Sequence, residues 1–140
     1  MTNKTNYAHL FRKMERWKAI SPSEESEPCV FKNEHEDDPL IFFHATPSRN
    51  FESIVQSGFL SASTLNKGEL ASVSYAKRSS LCLVHIGNPV TEDYTIFAVK
   101  FESLEQQAIR VNGIDINVYS EIQPDIVLGY CEIPRGFHYS

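Results

Sequence analysis

The 140-residue sequence has few cysteines and no long apolar run, and each shortage narrows what the protein can be. Its three cysteines, Cys29, Cys82 and Cys131, are widely spaced and form no CxxC pair, which argues against a disulfide framework or a thiolate zinc site. No run approaches the ~20 apolar residues that a membrane-spanning helix needs. The first residues also lack the apolar core of a signal peptide. We therefore expect a cytoplasmic protein with no membrane partner.

Positive charge and phosphate-binding loops are also scarce. Thirteen Lys and Arg against eighteen Asp and Glu give a net charge of -5, whereas binding to nucleic-acid backbones relies on clustered positive charge. The sequence contains no GxGxxG, no GxxxxGK[ST] and no GxSxG, which makes kinase, P-loop, Rossmann and α/β-hydrolase assignments poor. Hydrophobic residues make up 41% of the chain, so a folded domain rather than a disordered chain is expected.

The first 39 residues differ in composition from the rest. Apolar residues at spacings of three and four predict an amphipathic helix: Tyr7, Leu10, Phe11, Met14, Trp17 and Ile20. Residues 21–39 hold three prolines and seven acidic residues, which predicts a solvated loop. The acidic run around His35 lacks the spacing of a metal motif, so we expect no metal. We divide the chain into an N-terminal helix with an acidic linker (1–39) and a folded domain (40–140).

Residues 40–140 contain dense, short apolar runs. A buried strand is predicted at 40–43, then a helix from Ser48 or Asn50 that Gly58 ends, and an extended segment at 59–63. A second helix is predicted at 69–78, and strands at 81–86, 95–101, 109–111, 114–118 and 125–133. The Asn112-Gly113 pair predicts a hairpin turn. Helices early and strands late indicate an α+β fold with a mostly antiparallel sheet.

Three polar features could carry chemistry. His44 stands where the first strand ends, hydroxyl side chains alternate over residues 59–64, and Glu121 follows the second strand of the hairpin. Cys82 and His85 are three residues apart on a predicted strand and would point to opposite faces, so Cys82 is predicted to be a core residue rather than a nucleophile.

The order of these features resembles the ADP-ribosyltransferase superfamily. The similarity runs from Ile41-Phe42-Phe43-His44-Ala45-Thr46 through Asn50-Phe51-Glu52-Ser53-Ile54 and Ser57-Gly58-Phe59-Leu60 to Tyr119-Ser120-Glu121. It is similar to the His-Tyr-Glu type found in poly(ADP-ribose) polymerases and diphtheria-like toxins. Some features are shared with arginine-type toxins and tRNA 2′-phosphotransferases. The resemblance covers about residues 40–133 and implies split antiparallel β-sheets with short helices, here preceded by the N-terminal amphipathic helix.

The resemblance also implies roles for residues near the first strand. His44 would bond a hydroxyl of the adenine-side ribose of NAD, and the backbone of Ala45, where the family usually has glycine, would hold the nicotinamide amide. Thr46 would support the same ribose region. Ser61 and Ser63 resemble the S-T-S strand of arginine-type toxins and would brace the site.

Two further roles follow from the same resemblance. Tyr75 would stack on nicotinamide, with Phe59 or Tyr119 as alternatives for that aromatic. Glu121 would hold the 2′-hydroxyl of the nicotinamide ribose and stabilise positive charge that develops on that sugar. One ionised carboxylate in a dry cleft stabilises such a charge more in the transition state than in the ground state.

The expected function is mono-ADP-ribosyl transfer from NAD to a protein or, less favoured, a nucleic-acid acceptor, without a metal. The family includes toxins and effectors delivered into another cell's cytosol. Two alternatives stay open: an RNA 2′-phosphotransferase-like enzyme, for which Arg49, Arg78 and Arg110 are few and scattered, and an inactive module that binds ADP-ribose or a partner.

Overall fold

The computed structural model describes residues 7–18, 30–60, 72–87, 89–105, 109–112, 115–119 and 122–137. Its strands are β1 (Glu15–Trp17), β2 (Ile41–Pro47), β3 (Val73–Ala76), β4 (Tyr94–Lys100), β5 (Ile109–Asn112), β6 (Asp115–Val118) and β7 (Ile126–Ile133). Its α-helices are α1 (Asn33–Glu36), α2 (Phe51–Ser57) and α3 (Ser79–Ile86), and short 3₁₀ helices cover Ala8–Phe11 and Ser48–Asn50. The α+β class is confirmed.

The seven strands form one mixed sheet in the order β1-β7-β4-β2-β3-β6-β5. Among the described strands, β1 and β7 are the one parallel pair, and all other neighbours are antiparallel. Seven residue pairs join β2 to β4, but a single pair, Phe43 with Ala76, joins β2 to β3. The sheet therefore consists of a four-stranded part and a three-stranded part that meet at one point.

Both faces of the sheet are covered. One core contains Phe42, Phe59, Tyr75 and Phe97 beneath α2 and the first 3₁₀ helix. The other contains Phe43, Leu83, Ile96 and Cys131 beneath α1 and α3. Successive residues of β2 alternate between these cores because side chains of a strand point to opposite faces.

The predicted N-terminal helix is wrong. Residues 8–11 form one 3₁₀ turn and residues 15–17 form a strand. Leu10 and Phe11 pack in the core beneath α2, whereas Trp17 packs on the opposite face against the other core. A straight helix presents one apolar stripe to one surface, so this segment must leave the helical path to reach both faces.

The predictions for 69–78 and 81–86 are wrong, and their types are exchanged. Val73 and Tyr75 are buried while Ser74 is exposed, which is the two-residue period of a strand. In the next segment Cys82, Leu83 and Ile86 are buried while Val84 and His85 are exposed, which is helical. The three-residue spacing of Leu70, Val73 and Ala76 favours a helix in the sequence, but the structure buries alternate residues at 73–76.

Several other predicted elements are confirmed, but the loop predicted for 21–39 is wrong over residues 33–36, which form α1, and residues 59–60 of the predicted extended segment belong to no strand. The strands at β2, β4 and β7, the helix over residues 51–57 and the hairpin of β5 with β6 all form. Gly58 ends α2 with a φ of +78°, a conformation that glycine adopts without the penalty of a side chain. Within the described residues, no helix is long and apolar enough to cross a membrane.

Candidate functional site

A cleft lies where β2 and β3 diverge beyond their single pair. It has a volume of about 590 Å³ and is lined by residues 43–45 of β2 and 72–76 at β3, with Leu60 and Asp115. Helix α3 contributes Leu81, Cys82, Val84 and His85. Asp115 is the one carboxylate among the described residues that line this cleft, and His44 and His85 are its two imidazoles. This volume lies within the range of small-molecule sites.

His44 bridges the two strands at the mouth of this cleft. Its Nδ1 lies 2.9 Å from the carbonyl oxygen of Ser74. A carbonyl only accepts, so Nδ1 carries the hydrogen and donates it. Burial lowers the pKa of His44, because the imidazolium is poorly solvated there, and the bond to Ser74 opposes this only partly. The ring is therefore neutral at pH 7, and its Nε2 is a hydrogen-bond acceptor.

Two aromatic rings pack against the imidazole of His44. Phe59 meets it edge-on at 5.3 Å between ring centroids, and Tyr75 lies 5.4 Å away. Phe59 and Tyr75 also contact each other, at 5.7 Å. The structure thus brings together His44 and Tyr75, two of the residues singled out in the sequence, together with Phe59, the alternative aromatic.

Tyr75 lies on strand β3, and its side chain is almost entirely covered. Only 1% of the residue is exposed, and its ring also packs edge-on against Phe101 at 5.2 Å. Tyr119, the other alternative for the stacking aromatic, is 38% exposed and does not line the cleft.

Ala45 and Thr46 face different surroundings. Ala45 lines the cleft, and its backbone slightly opposes the rise in the pKa of the Cys82 thiol. Thr46 is buried outside the cleft lining, and its hydroxyl oxygen accepts a hydrogen bond from Asn50 Nδ2 at 3.1 Å. Thr46 thereby holds the turn before α2 against β2.

The two cysteines among the described residues, Cys82 and Cys131, have protonated thiols in the core. Burial raises the pKa of Cys82 far above its ordinary value, and burial raises that of Cys131 to about 12. The prediction that Cys82 is a core residue is confirmed, since it is 5% exposed. Neither thiol is a nucleophile at neutral pH.

The acidic run expected to be solvated contains a buried carboxylate. Glu36 is 0% exposed and accepts hydrogen bonds from the backbone N–H of Ser79, at 3.0 Å, and from the Ser79 hydroxyl. The Ser79 oxygen accepts in turn from the N–H of Val30 at 2.9 Å. Glu36 therefore caps the first turn of α3, the helix that forms one wall of the cleft.

Lys77, which directly follows β3, binds the backbone at the start of β2. Its ammonium donates to the carbonyl oxygens of Asp38, at 2.6 Å, and Ile41, at 3.2 Å, and lies 5.2 Å from the ring centroid of Phe42. Burial lowers the pKa of Lys77, while Asp38 opposes that shift. Nothing local in the sequence signalled the partners of Glu36 or Lys77.

Gln123 connects two distant segments next to His44. Its side-chain oxygen accepts from the N–H of Phe59 at 2.8 Å, and its side-chain nitrogen donates to the Phe59 carbonyl at 2.9 Å. Phe59 is the residue whose ring meets His44 edge-on. Sequence reasoning missed Gln123, as it missed Asp115 and Glu36.

Three of the predicted site residues, Ser61, Ser63 and Glu121, lie outside the described residues. So do residues 21–29 of the predicted acidic linker, which include Cys29. In the part of the chain that the structure describes, no group of three or more His, Cys, Asp or Glu side chains is arranged to hold a metal ion.

Comparisons with protein-family models, with curated proteins and with solved structures find no significant match to this chain.

Proposed function

We propose that the protein is an NAD-dependent mono-ADP-ribosyltransferase whose site is the cleft between β2 and β3. The observation that carries the proposal is the state of His44. A neutral imidazole with its Nδ1 committed to Ser74 offers Nε2 as an acceptor at the mouth of a cleft of about 590 Å³. A ribose hydroxyl is a donor that such an acceptor can hold.

The sheet geometry supports the same proposal. The resemblance in sequence implies split antiparallel β-sheets, and β2 and β3 here meet at one residue pair. Tyr75 lies on the strand that faces His44 across this gap. Gln123, two residues after Glu121 in the sequence, is bonded to Phe59 beside His44. The described chain that follows Glu121 thus approaches the imidazole.

The proposed reaction needs no redox partner. The glycosidic bond between the ribose carbon and the nicotinamide nitrogen breaks, and its electron pair leaves with nicotinamide. A nucleophile of the acceptor forms a new bond to that ribose carbon and releases its proton. Glu121 stabilises the cationic sugar between these events, and the acidic composition favours a protein acceptor.

The test uses labelled NAD with a cell lysate and measures both transferred label and released nicotinamide. Glu121→Gln removes the proposed carboxylate and is expected to lower transfer by about 10²-fold or more. Glu105→Gln makes the same change at an exposed glutamate outside the cleft and should leave transfer unchanged. Equal label in wild type and Glu121→Gln would overturn the role of Glu121.

Asp115→Asn belongs in the same experiment because Asp115 is the carboxylate that the described cleft contains. We expect a smaller loss than for Glu121→Gln. If transfer falls in Asp115→Asn but not in Glu121→Gln, the catalytic carboxylate is Asp115 of β6 rather than Glu121.

A second function, a binding module for ADP-ribose without catalysis, is favoured by the covered ring of Tyr75, which is 1% exposed. Calorimetry with ADP-ribose and with NAD separates the two functions. Binding of either ligand without release of nicotinamide would support the module.

The RNA 2′-phosphotransferase alternative has less support, since no Arg or Lys is among the described residues lining the cleft.

A further inference from the structure

We propose that Gln123 is a positioning residue for this cleft: its side-chain amide fixes the backbone of Phe59 and, through the Phe59 ring, the orientation of His44. The inference rests on the proposed transferase function only where it concerns turnover. Its structural part concerns the protein without NAD.

The amide of Gln123 bonds to Phe59 as a neighbouring β-strand would. One residue supplies an acceptor to the Phe59 N–H and a donor to the Phe59 carbonyl, across a separation of 64 residues. Phe59 lies just beyond α2, where no strand pairs with it among the described elements. The two bonds therefore replace the ladder that would otherwise fix this backbone.

Gly58 permits this contact because it has no side chain. A Cβ atom there would lie 2.6 Å from Gln123 Oε1 and 2.8 Å from a ring carbon of Tyr7. Its positive φ turns the chain out of α2 toward Gln123. The backbone at 58–59 is thus held by close packing as well as by hydrogen bonds.

The ring of Phe59 transmits this constraint to His44. Phe59 is 1% exposed, and its ring also packs edge-on against Phe97 at 5.3 Å, so it is tightly enclosed. With the described residues, the ring of His44 makes one hydrogen bond, to Ser74, and its contacts with Phe59 and Tyr75 set the tilt of the ring. A shift of the Phe59 backbone therefore changes the direction in which Nε2 points.

A matched pair of substitutions tests the role. Gln123→Glu keeps the shape but presents two acceptors at neutral pH, so the carbonyl of Phe59 loses its donor. Protonating that glutamate in acid restores one donor and one acceptor. Gln56→Glu makes the same chemical change at an exposed position of α2 and is the control.

Without NAD, NMR follows the His44 ring signals and the exchange of the Phe59 amide at about pH 7.5 and about pH 5, each against wild type at the same pH. In Gln123→Glu at the higher pH we expect shifted His44 signals and Phe59 exchange roughly tenfold faster. Both should return toward wild type at the lower pH. Gln56→Glu should match wild type throughout.

With NAD, nicotinamide release should fall in kcat by roughly tenfold in Gln123→Glu at the higher pH with a smaller change in KM, since orientation acts on the reacting geometry. Unchanged His44 signals, or exchange accelerated equally over the whole sheet at both pH values, would overturn the proposal. If wild type itself releases no nicotinamide while the NMR result is as expected, the proposed function fails and the role of Gln123 in placing His44 stands.

Discussion

Replacing Gly129 with alanine should detach the N-terminal strand from the sheet. Gly129 lies on β7 opposite Glu15 of β1, and the ring of Trp17 covers it. A Cβ atom at position 129 would lie 2.8 Å from three ring carbons of Trp17, closer than real packing allows. The φ of Gly129 is not among the positive ones, so the clash with Trp17, rather than backbone strain, dominates the effect.

The ring of Trp17 is only partly exposed, and two aromatic side chains pack against it. It is stacked on His35 at 4.6 Å and 14° and meets Phe31 edge-on at 5.8 Å. Overpacking of a well-packed site typically destabilises by about 1–3 kcal/mol, and we expect Gly129→Ala to fall within that range. A gain of about 0.5–1 kcal/mol from replacing a strand glycine partly offsets the loss.

The assay uses the single tryptophan of the chain as its own reporter. Displacement of Trp17 into water should shift its fluorescence to longer wavelength, and urea unfolding gives the loss of stability. Urea unfolding followed by circular dichroism is then repeated for Gly129→Ala in a Trp17→Ala background. There the clash is gone, and the alanine should be neutral or stabilising.

The difference between the two backgrounds is the coupling energy of the pair, expected at about 1–3 kcal/mol. The same destabilisation in both backgrounds would refute the reasoning. It would mean that the alanine acts on β7 itself.

Two further predictions follow from buried ionisable groups. Glu36→Gln places an amide nitrogen where one of the two Ser79 donors needs an acceptor, so urea unfolding should show a loss of about 1–3 kcal/mol, and an unchanged midpoint would contradict the buried cap. The pKa of His44 is lowered in the folded protein, so the unfolded chain binds the proton more readily, and stability should fall as pH drops below about 6.5. Thermal unfolding from pH 7.5 to 5 should show this fall reduced in His44→Gln but not in His85→Gln, and equal pH dependence in all three proteins would exclude His44 as its source.

Elements whose pattern is local could be predicted from the sequence. The run 41–43 and the alternation in β7 are read correctly because a strand with a buried face has its periodicity written in consecutive residues. The hairpin of β5 and β6 is found for a similar reason: turn-forming residues separate two short apolar runs. These elements supply strands to both parts of the sheet, and residues of β2 and β6 line the cleft.

Segments whose apolar residues pack on both faces of the sheet, or that are very short, could not be predicted from local periodicity. Residues 7–17 follow helical spacing, yet Phe11 and Trp17 lie on opposite faces of the sheet. Short segments such as β3 offer only two buried positions, Val73 and Tyr75, and a helical interpretation fits them as well as an extended one.

The candidate site likewise contains some residues that a local pattern identifies and others that only the folded contacts identify. His44 is found because a polar residue that directly follows a short apolar run is visible locally, although the expected strand end there is wrong: β2 continues to Pro47 and His44 lies in its middle. Its partner Ser74 is 30 residues away, and Gln123 bonds to a residue 64 positions distant. Glu36 resembles its solvated neighbours in sequence, and only its contact with Ser79 distinguishes it. Pairings of this kind depend on the folded topology and leave no mark on nearby residues.

The single-pair junction of β2 and β3 has a consequence for how recognition can evolve. Past Phe43, no described residue of β2 pairs with β3, so the peptide groups along this opening, other than the Ser74 carbonyl that His44 occupies, lie outside the ladder of the described strands. A ligand seated there can be held by amide and carbonyl groups that every amino acid supplies. Side chains around the opening can then diverge widely while the capacity to hold the ligand is inherited unchanged.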